Sequence, residues 1–535
     1  MPKDVIRVAA TLVTALLLAG AAAAAPLRVT PPSGARFLVD QRFDVRVESD
    51  TPALLANVKL YVDGKPLPSG ALLADAYGKG LNARNRSFRR PGRHELRAVD
   101  GAGDEAVSSV EVIDPFRGDD HFDAAEALGD EGLRGERPVR NVIILLGDGM
   151  GASHRTAARL VRYGVEGGHA RGLLAMDRMP GTGLVMTASL NSIVTDSAPG
   201  MSNYVTGNKA NNNQEGVFPD NTLKASSDTD SSKSFDNPRV EYLSEYLHRK
   251  RGKSLGIVTT ADVEDATPAA NAVHTADRNA GTGVADQYLD ESFRTGLAVL
   301  MGGGRRWFVP SNDPSGYSSR SPATDYVLPA ELSLAYGLTP GAIDPTRNLI
   351  GDFQAQGFRY VASRSDLLAI PDDTTRLLGL FGWGNMNVAY DKIAARRGHP
   401  AVVDAYGAPD QPMLDEMAAS ALRVLDKNTR GFVLMIEGAH IDKQSHLMDA
   451  ERATWETIEF DRAVAKAVDF ARRDGHTLVI VTADHECSGF SILGASNKTI
   501  AQLEALPSDV AALGLATPPA RQAAVGTYDT AGFPS

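Results

Sequence analysis

The sequence is poor in cysteine and in positive charge. Its 535 residues include one cysteine, Cys487, so the chain cannot form an internal disulfide, and its core or bound ions must hold the fold. We interpret Cys487 as a small packed residue rather than a reactive thiol. The formal charge of -11 argues against a nucleic-acid or anionic-membrane surface, which needs clustered Lys and Arg. After residue 25, no apolar run is long enough for a transmembrane helix.

The first 25 residues have the pattern of an export signal. Lys3 and Arg7 give a basic start, residues 8–18 are apolar, and small residues lead to Pro26. The apolar run is too short to span a bilayer comfortably, which disfavours the alternative of a retained anchor. We therefore expect a cleaved signal peptide over residues 1–25, a periplasmic or extracellular protein, and no stable membrane anchor.

Residues 26–113 are predicted to form a separate small all-β domain. Apolar and polar residues alternate over Phe43–Glu48 and over 58–62, where the turn Asp63-Gly64 follows. Short alternating strands with turn signals suggest an immunoglobulin-like sandwich. The domain has no cluster of catalytic residue types, so we expect a spacing or binding role. Residues 114–140 are acidic and Gly-rich, which predicts a linker.

From residue 141 onward, buried strands alternate with amphipathic helices. This pattern is typical of an α/β fold with a doubly wound, mostly parallel sheet and helices on both faces. The first strand is a run of branched apolar residues that ends at Gly147-Asp148-Gly149, and ligands bind at such strand ends. Further strands are predicted at 255–260, 297–301, 431–436 and 477–482, and helices at 239–251, 412–427 and 455–473. The pattern does not resolve the topology of residues 303–410.

Three of these strand ends carry residue types that bind metal ions. They are Asp148, then Asp442 with His446, and Asp484 with His485. Because Asp442 and His446 are four residues apart, a helix would place them on one face. A carboxylate beside an imidazole at a buried strand end is costly to desolvate without an ion. The three ends together predict a metal site.

A nucleophile and an anion-binding residue are predicted beside this metal site. Ser197 follows Asp196 and opens a predicted helix, and a helix N-terminus next to a metal would stabilise a serine alkoxide. Arg278 follows His274 by four residues, so we expect both on one helical face. The planar guanidinium of Arg278 suits two oxygens of a phosphate. No G-x-S-x-G elbow indicates a Ser-His-Asp hydrolase.

Five ordered segments resemble the motifs of alkaline phosphatases. They are GDGMG at 147–151, TDSA at 195–198, DATPAA at 265–270 with His274 and Arg278 after it, EGAHIDKQSH at 437–446, and TADHE at 482–486. The likeness spans roughly residues 141–489. It implies that residues 141–535 form a catalytic domain that hydrolyses phosphate monoesters through a phosphoserine, with two zinc ions and one magnesium, and that the protein is a homodimer.

The resemblance also implies a role for each matching residue. The expected ligands are Asp442 and His446 for the first zinc, Asp484, His485 and Ser197 for the second zinc, Thr267 and Glu437 for magnesium, and Asp148 as a bridge between the second zinc and magnesium. Around the phosphate, Arg278 is expected to clamp the phosphate, and Asp196 to orient Arg278. Lys443 is expected to reach the phosphate through water, and Asp265 to act through magnesium-bound water. His274 is expected near the site or only packed.

One departure from the family concerns the first zinc. In the family this ion takes a further histidine well downstream, and no histidine follows His485 in this sequence. We therefore expect a chain that is truncated at its C-terminus, with an incomplete ligand set for the first zinc. Weak metal binding and reduced activity would follow.

Other functions fit the sequence less well. Gly147-x-Gly149-x-x-Ala152 fits a dinucleotide fingerprint, but no second strand with an acidic end follows at the expected distance, and Asp148 would repel a pyrophosphate. A sulfatase would need a Cys-x-Pro/Ser-x-Arg motif, which does not surround Cys487. Two alternatives stay open: a phosphodiesterase of the same superfamily, and a catalytically impaired phosphate- or metal-binding protein.

Overall fold

The structure, a computed structural model, describes residues 27–49, 51–68, 70–75, 77–114, 139–220, 231–396 and 410–492. The predicted signal peptide and nearly all of the predicted linker lie outside these residues. The chain divides into two compact units, one of residues 1–113 with 220–222 and one of residues 114–219 with 223–535. In the part that is described, no helix is both long and apolar enough to cross a membrane.

The amino-terminal unit is all-β, as predicted. Its strands are β1 (Arg28–Thr30), β2 (Arg36–Leu38), β3 (Phe43–Glu48), β4 (Lys59–Val62), β5 (Lys65–Pro66), β6 (Leu73–Ala74), β7 (Gly80–Arg86), β8 (Gly92–Val99) and β9 (Glu105–Ile113). They form a four-stranded sheet in the order β1-β3-β7-β6 and a five-stranded sheet in the order β2-β9-β8-β4-β5. A 3₁₀ helix spans Pro52–Asn57. The immunoglobulin-like topology stays a prediction.

Both faces of β3 are buried, although its alternating sequence predicts one solvated face. The apolar face packs between the sheets, where the rings of Phe37 and Phe43 stack with centroids 4.0 Å apart. The polar face is buried because its charges are paired: Arg46 Nη2 lies 2.7 Å from Asp75 Oδ2, and Asp44 Oδ2 lies 2.9 Å from the guanidinium of Arg84. Paired charges can be buried where isolated ones cannot.

The second unit contains a seven-stranded sheet in the order β15-β16-β14-β13-β17-β10-β18, in which all neighbouring strands are parallel. Its strands are β10 (Asn141–Gly147), β13 (Ser254–Asp262), β14 (Leu297–Gly303), β15 (Arg359–Val361), β16 (Leu377–Leu380), β17 (Phe432–Gly438) and β18 (Thr477–Thr482). A small ribbon pairs β11 (Val165–Glu166) with β12 (His169–Ala170). The predicted parallel sheet is confirmed.

The strands of this sheet are connected and covered by helices. These are α1 (Ala152–Tyr163), α2 (Ser197–Thr206), α3 (Leu243–Arg251), α4 (Ala266–Ala269), α5 (Gly281–Asp290), α6 (Ser292–Thr295), α7 (Ala330–Tyr336), α8 (Leu349–Ala355), α9 (Arg364–Leu368), α10 (Ala389–Arg396), α11 (Leu414–Leu425), α12 (His440–His446) and α13 (Ala450–Asp474). Short 3₁₀ turns lie at Met176–Arg178, Ser231–Ser234, Arg305–Trp307 and Pro322–Thr324.

The sheet has an apolar core on each face. Successive residues of β10 point to opposite sides, so Ile143 and Leu145 belong to one cluster and Ile144 and Leu146 to the other. Each such side chain, fully buried, contributes roughly 1.5–3 kcal/mol relative to an exposed one. This explains why the strand has no polar alternation. The rigid sheet fixes where the carboxyl ends of its strands lie.

Candidate metal centre and catalytic site

The parallel register brings three predicted strand ends together. Leu146 of β10 is paired with Glu437 of β17 on one side and with Thr482 of β18 on the other. The residues that follow these positions therefore leave the sheet at one edge. This register explains how Asp148 and Asp484, far apart in the sequence, meet at a single site.

The first group of candidate ligands joins β10, α12 and the segment after β18. Ligand atoms of Asp148, Asp442 and His485 all lie within 4.8 Å of one another. His485 Nε2 is 3.6 Å from Asp148 Oδ1 and 3.4 Å from Asp484 Oδ2. A divalent ion could contact this imidazole and these carboxylates together.

A second group adjoins the first. Asp442 and His446 lie on α12, where His446 Nε2 is 3.2 Å from Asp442 Oδ2, as the spacing of four residues predicts. Ligand atoms of Asp442, His446 and Cys487 again fall within 4.8 Å of one another. Gly149, with φ of 65°, permits this packing, because a Cβ there would lie 2.7 Å from Asp442 Oδ1.

The negative charge of these buried carboxylates is not fully balanced by neighbouring positive groups. Burial, followed by the neighbouring Asp484, Asp442 and Glu437, raises the pKa of Asp148 well above its ordinary value. Burial also raises the pKa of Glu437 to about 8, although Thr259 donates a hydrogen bond to it. Close carboxylates in a buried site disfavour one another's charged form, and divalent cations would reverse that preference.

Unpaired oxygens point to the same conclusion. Asp442 Oδ1, Asp484 Oδ2 and Thr267 Oγ1 are buried and make no hydrogen bond with any residue in the described ranges. A buried polar atom without a partner costs free energy. Carboxylate and hydroxyl oxygens are ligands for a hard cation such as Mg²⁺, and the Asp and His side chains suit Zn²⁺. The donor set therefore fits the implied ions.

The predicted nucleophile lies beside these ligands. Asp196 caps α2, accepting a 2.8 Å hydrogen bond from the amide of Ala198, so Ser197 is the first residue of the helix. Ser197 Oγ lies 3.4 Å from Asp148 Oδ1 and 3.4 Å from His485 Nε2. The helix N-terminus and the adjacent candidate ligands place this hydroxyl where an alkoxide would be stabilised.

Four charged residues predicted around the phosphate form one network. Arg278 Nη2 lies 2.7 Å from Asp265 Oδ1, and Arg278 Nη1 lies 3.5 Å from Asp196 Oδ1. Lys443 Nζ contacts the second oxygen of Asp265. Burial by itself would raise the pKa of Asp265, but Lys443 and Arg278 bring it well below its ordinary value. Asp265 therefore orients both cations.

The prediction that His274 and Arg278 lie on one face of a helix is wrong. Both residues lie outside the helices, because Thr275 forms a bridge with Glu215 and the amide of Arg278 donates to the carbonyl of Asn213. His274 packs away from the ligand groups. Its Nε2 lies 3.1 Å from Glu245 Oε2, and its Nδ1 lies 2.8 Å from the carbonyl oxygen of Gly216.

The sequence analysis missed two buried residues of the candidate site, one beside Arg278 and one beside α12. Glu215 is fully buried, and neither of its carboxylate oxygens is hydrogen-bonded within the described residues. Burial raises the pKa of Glu215 well above its ordinary value, and the nearby Arg278 only partly offsets this. Nε2 of His154, which lies in α1, forms a 2.9 Å hydrogen bond with Ser445 Oγ. Neither belongs to a recognisable motif, so the sequence offered no signal for them.

These observations define a class: a parallel α/β protein in which a buried cluster of carboxylate and imidazole groups lies beside a serine at a helix N-terminus and a paired arginine. The family model for alkaline phosphatase matches residues 139–525, and the chain belongs to this family.

Individual relatives agree with this assignment. Alkaline phosphatase 4 of Bacillus subtilis is 30% identical over 358 residues, covering 66% of this chain and 63% of the relative. The Escherichia coli alkaline phosphatase is 32% identical over 374 residues, covering 65% and 70%. The solved alkaline phosphatase of the Antarctic bacterium TAB5 shares the fold, with a TM-score of 0.50, 22% identity, and coverage of 68% of this chain and 84% of that one. The chain thus spans less than two thirds of the length of the first relative.

Proposed function

We propose that this chain hydrolyses phosphate monoesters, with Ser197 as the nucleophile. The main support for the proposal is the position of Ser197 Oγ, which lies 3.4 Å from both Asp148 Oδ1 and His485 Nε2. The surrounding buried cluster contains oxygens without hydrogen-bond partners in the described residues, which favours the binding of cations there. A serine hydroxyl at a helix N-terminus is a weak nucleophile until a base or a metal activates it.

The residues divide into ion ligands and phosphate-binding groups. The proposed ligands are Asp442 and His446 for a first zinc, Asp484 and His485 for a second zinc, and Thr267 and Glu437 for magnesium. Asp148 would be shared by the second zinc and magnesium. When bound, these ions would supply the Lewis acidity that favours the serine alkoxide and stabilises the departing oxygen.

The chain's own groups would bind the substrate and carry the covalent step. Arg278, held by Asp265 and Asp196, would turn its fork towards two phosphate oxygens. Ser197 Oγ would release its proton to solvent and bond to phosphorus while the bond to the leaving oxygen breaks, and the leaving oxygen would take up a proton from solvent. Attack of water on the resulting phosphoserine would release phosphate and restore the hydroxyl. Lys443, adjacent to Asp442 on α12, would add positive charge near the phosphate.

The test compares the wild-type chain with Ser197→Ala, both supplied with zinc and magnesium. We expect hydrolysis of an aryl phosphate monoester to fall by roughly 10³-fold or more, because the covalent route is lost. Bound metal, measured by elemental analysis, should stay nearly the same. Equal hydrolysis by both proteins would refute the proposed nucleophile. A wild type that binds phosphate without turnover would identify a binding protein, and preference for the diester would identify a phosphodiesterase.

The proposal also includes export of the protein and its assembly as a homodimer. The basic, apolar and small-residue pattern of residues 1–25 supports export, and N-terminal sequencing of the secreted protein would reveal cleavage near residue 25. Membership of the family supports a homodimer. Sedimentation velocity of the purified protein would test the homodimer, and a monomer at micromolar concentration would contradict it.

A further inference from the structure

His154 of α1 connects two segments that carry proposed metal ligands. The residue is 1% exposed. Its Nδ1 lies 3.1 Å from the amide nitrogen of Gly151, and its Nε2 lies 2.9 Å from Ser445 Oγ. Gly151 belongs to the turn that follows Asp148, and Ser445 lies on α12 directly before His446. One buried ring is thus hydrogen-bonded to both segments.

The position of the ring hydrogen follows from these two bonds. A backbone amide only donates, so Nδ1 of His154 must accept from Gly151, and the hydrogen of the neutral ring must lie on Nε2. Burial lowers the pKa of His154, and Glu486 and Asp442 only partly oppose this effect, so the ring is neutral near neutral pH. Nε2 therefore donates to Ser445 Oγ.

The hydroxyl of Ser445 connects this hydrogen bond to the backbone of α12. Ser445 Oγ donates to the carbonyl oxygen of Ile441 over 2.6 Å. Ile441 directly precedes Asp442, and Ser445 directly precedes His446. The bond therefore joins the two backbone positions next to the proposed ligands of the first zinc. Through it, the ring of His154 restrains the turn of α12 that carries both ligands.

The segment after β18 packs against the same ring. The rings of His154 and Phe490 stack with centroids 4.7 Å apart. The hydroxyl of Ser488 donates to the carbonyl oxygen of Ser445. Because this segment begins with the proposed ligands of the second zinc, His154 lies where all three ligand-bearing segments meet.

A role confined to α1 does not account for this arrangement. His154 is the third residue of α1, and its bond to the amide of Gly151 is that of a helix cap. The bond to Ser445 is different, because it joins residues that are 291 positions apart. The cap needs only an acceptor, whereas the second bond needs a donor. The neutral imidazole supplies both.

We propose that His154 is a positioning residue for the proposed zinc ligands Asp442 and His446, acting on α12 through Ser445. This inference rests on the proposed function for the identity of the ion. Groups that hydrogen-bond around a metal site orient its ligands, and their loss typically costs about 10–100-fold in metal affinity or activity. His154 is not itself a proposed ligand, so its loss should weaken the binding of zinc without abolishing it.

Two substitutions separate the hydrogen bonds of His154 from its packing. His154→Phe keeps a ring beside Phe490 and removes both hydrogen bonds. His154→Gln removes the ring but keeps an acceptor and a donor on one amide group. We expect zinc affinity, measured by competition with a chromophoric chelator, to fall roughly tenfold or more in His154→Phe and to recover in His154→Gln. Wild-type affinity in His154→Phe, or an equal loss in His154→Gln, would overturn the proposal.

Ser445→Ala tests whether the effect reaches the ligands through α12. Zinc affinity should fall to a similar extent, and adding His154→Phe should cause little further loss, because residues that act through one shared contact are not additive. Additive losses, or unchanged affinity in Ser445→Ala, would overturn the proposal. The single variant also provides the test if His154→Phe fails to fold.

Glu416→Ala is the matched control. Glu416 is the third residue of α11, and its carboxylate accepts from the amide of Met413 over 2.9 Å. Its removal breaks a helix cap of the same kind on a helix that carries none of the proposed ligands, so Tm should fall while zinc affinity stays the same. A similar loss of zinc affinity in this control would refute a specific role for His154.

Zinc affinity needs no substrate, so it distinguishes this inference from the proposed function. Weaker zinc binding in His154→Phe, together with a wild type that does not hydrolyse a phosphate monoester, would refute the proposed function and support the inference. Hydrolysis by the wild type, with unchanged zinc affinity in His154→Phe, would do the reverse. A wild type that binds no zinc would overturn the inference.

Discussion

Arg278 Nη2 lies 2.7 Å from Oδ1 of Asp265, so the guanidinium proposed to bind phosphate is already paired with a carboxylate. The same carboxylate contacts Lys443 through its other oxygen. Any phosphate that binds here must compete with Asp265 for both cations. This competition would keep the affinity for the product phosphate low enough for release.

Asp265→Asn should therefore strengthen product inhibition. Removing one negative charge frees Arg278 and Lys443, and hydrogen bonds to charged groups contribute about 1.5–3 kcal/mol. We expect inorganic phosphate to inhibit roughly tenfold more tightly, measured as its inhibition constant with an aryl phosphate substrate. Asp277→Asn is the matched control, because that carboxylate accepts from Asn279. An unchanged inhibition constant in Asp265→Asn would contradict the competition.

Thr267→Val should weaken the stabilisation of the protein by magnesium and leave the stability of the metal-free protein nearly unchanged. The hydroxyl of Thr267 is buried and has no hydrogen-bond partner in the described ranges, so its loss should leave metal-free stability within about 1 kcal/mol. Thermal unfolding with and without Mg²⁺ would show a smaller magnesium-induced increase in Tm. Thr457→Val, which breaks a 2.8 Å bond to the carbonyl of Ala453, should lower Tm in both conditions. A full magnesium response in Thr267→Val would exclude it as a ligand.

Glu245 should give the protein an acid-sensitive contribution to stability. Its carboxylate lies 2.9 Å from Arg294 and 3.1 Å from His274. Burial alone would raise the pKa of Glu245, but Arg294 and then His274 bring it well below its ordinary value, which is about 4.3. The folded state thus favours the charged form, so the stabilisation is complete above about pH 4.3 and is lost as the pH falls below it.

Urea unfolding of Glu245→Gln against the wild type tests this dependence. At pH 7 the variant should lose about 3 kcal/mol of unfolding free energy, because it removes one of the two carboxylates that pair with the buried Arg294, the other being Glu291. The difference should shrink as the pH falls from about 4 towards 2. Glu166→Gln, on the exposed strand β11, should change stability by less than about 0.5 kcal/mol. A constant difference across the pH range would refute the linkage.

Chelation should lower stability as well as activity. Without ions, the buried carboxylates Asp148, Asp442, Asp484 and Glu437 repel one another. An ion present at a thousand times its dissociation constant stabilises the folded state by about 4 kcal/mol. Calorimetry should therefore show a lower Tm in EDTA and recovery when zinc and magnesium are restored. The same Tm in both buffers would show that the cluster holds no ion.

The sequence was sufficient wherever the signal was local. Runs of branched apolar residues predicted β10, β13, β14 and β17, which are buried on both faces as such runs require. The same pattern predicted β18, although Leu478 and Ile480 of that strand are exposed. The spacing of Asp442 and His446 predicted their contact because α12 repeats at nearly that interval. Ser197 was expected to open α2, and it is the first residue of that helix, although the capping side chain is that of Asp196.

The features that could not be predicted are those that depend on contacts between residues far apart in the sequence. The strands β15 and β16 fall in residues 303–410, where Gly and Pro obscure any period, and their place at the sheet edge depends on β14. His274 and Arg278 were expected on a helix, but the distant Glu215 pairs with Thr275 and holds that segment extended. Cys487 could not be linked to α12 from its spacing, since it lies 41 positions after His446.

The position of β18 decides when the proposed ion ligands come together. This strand comes last among those that the structure describes, yet it pairs with β10, the first strand of the parallel sheet. Asp484 and His485 follow β18, so they reach Asp148 only in a chain in which β18 has paired with β10. A chain that ends before β18 lacks these two proposed ligands and should retain less metal than the full chain.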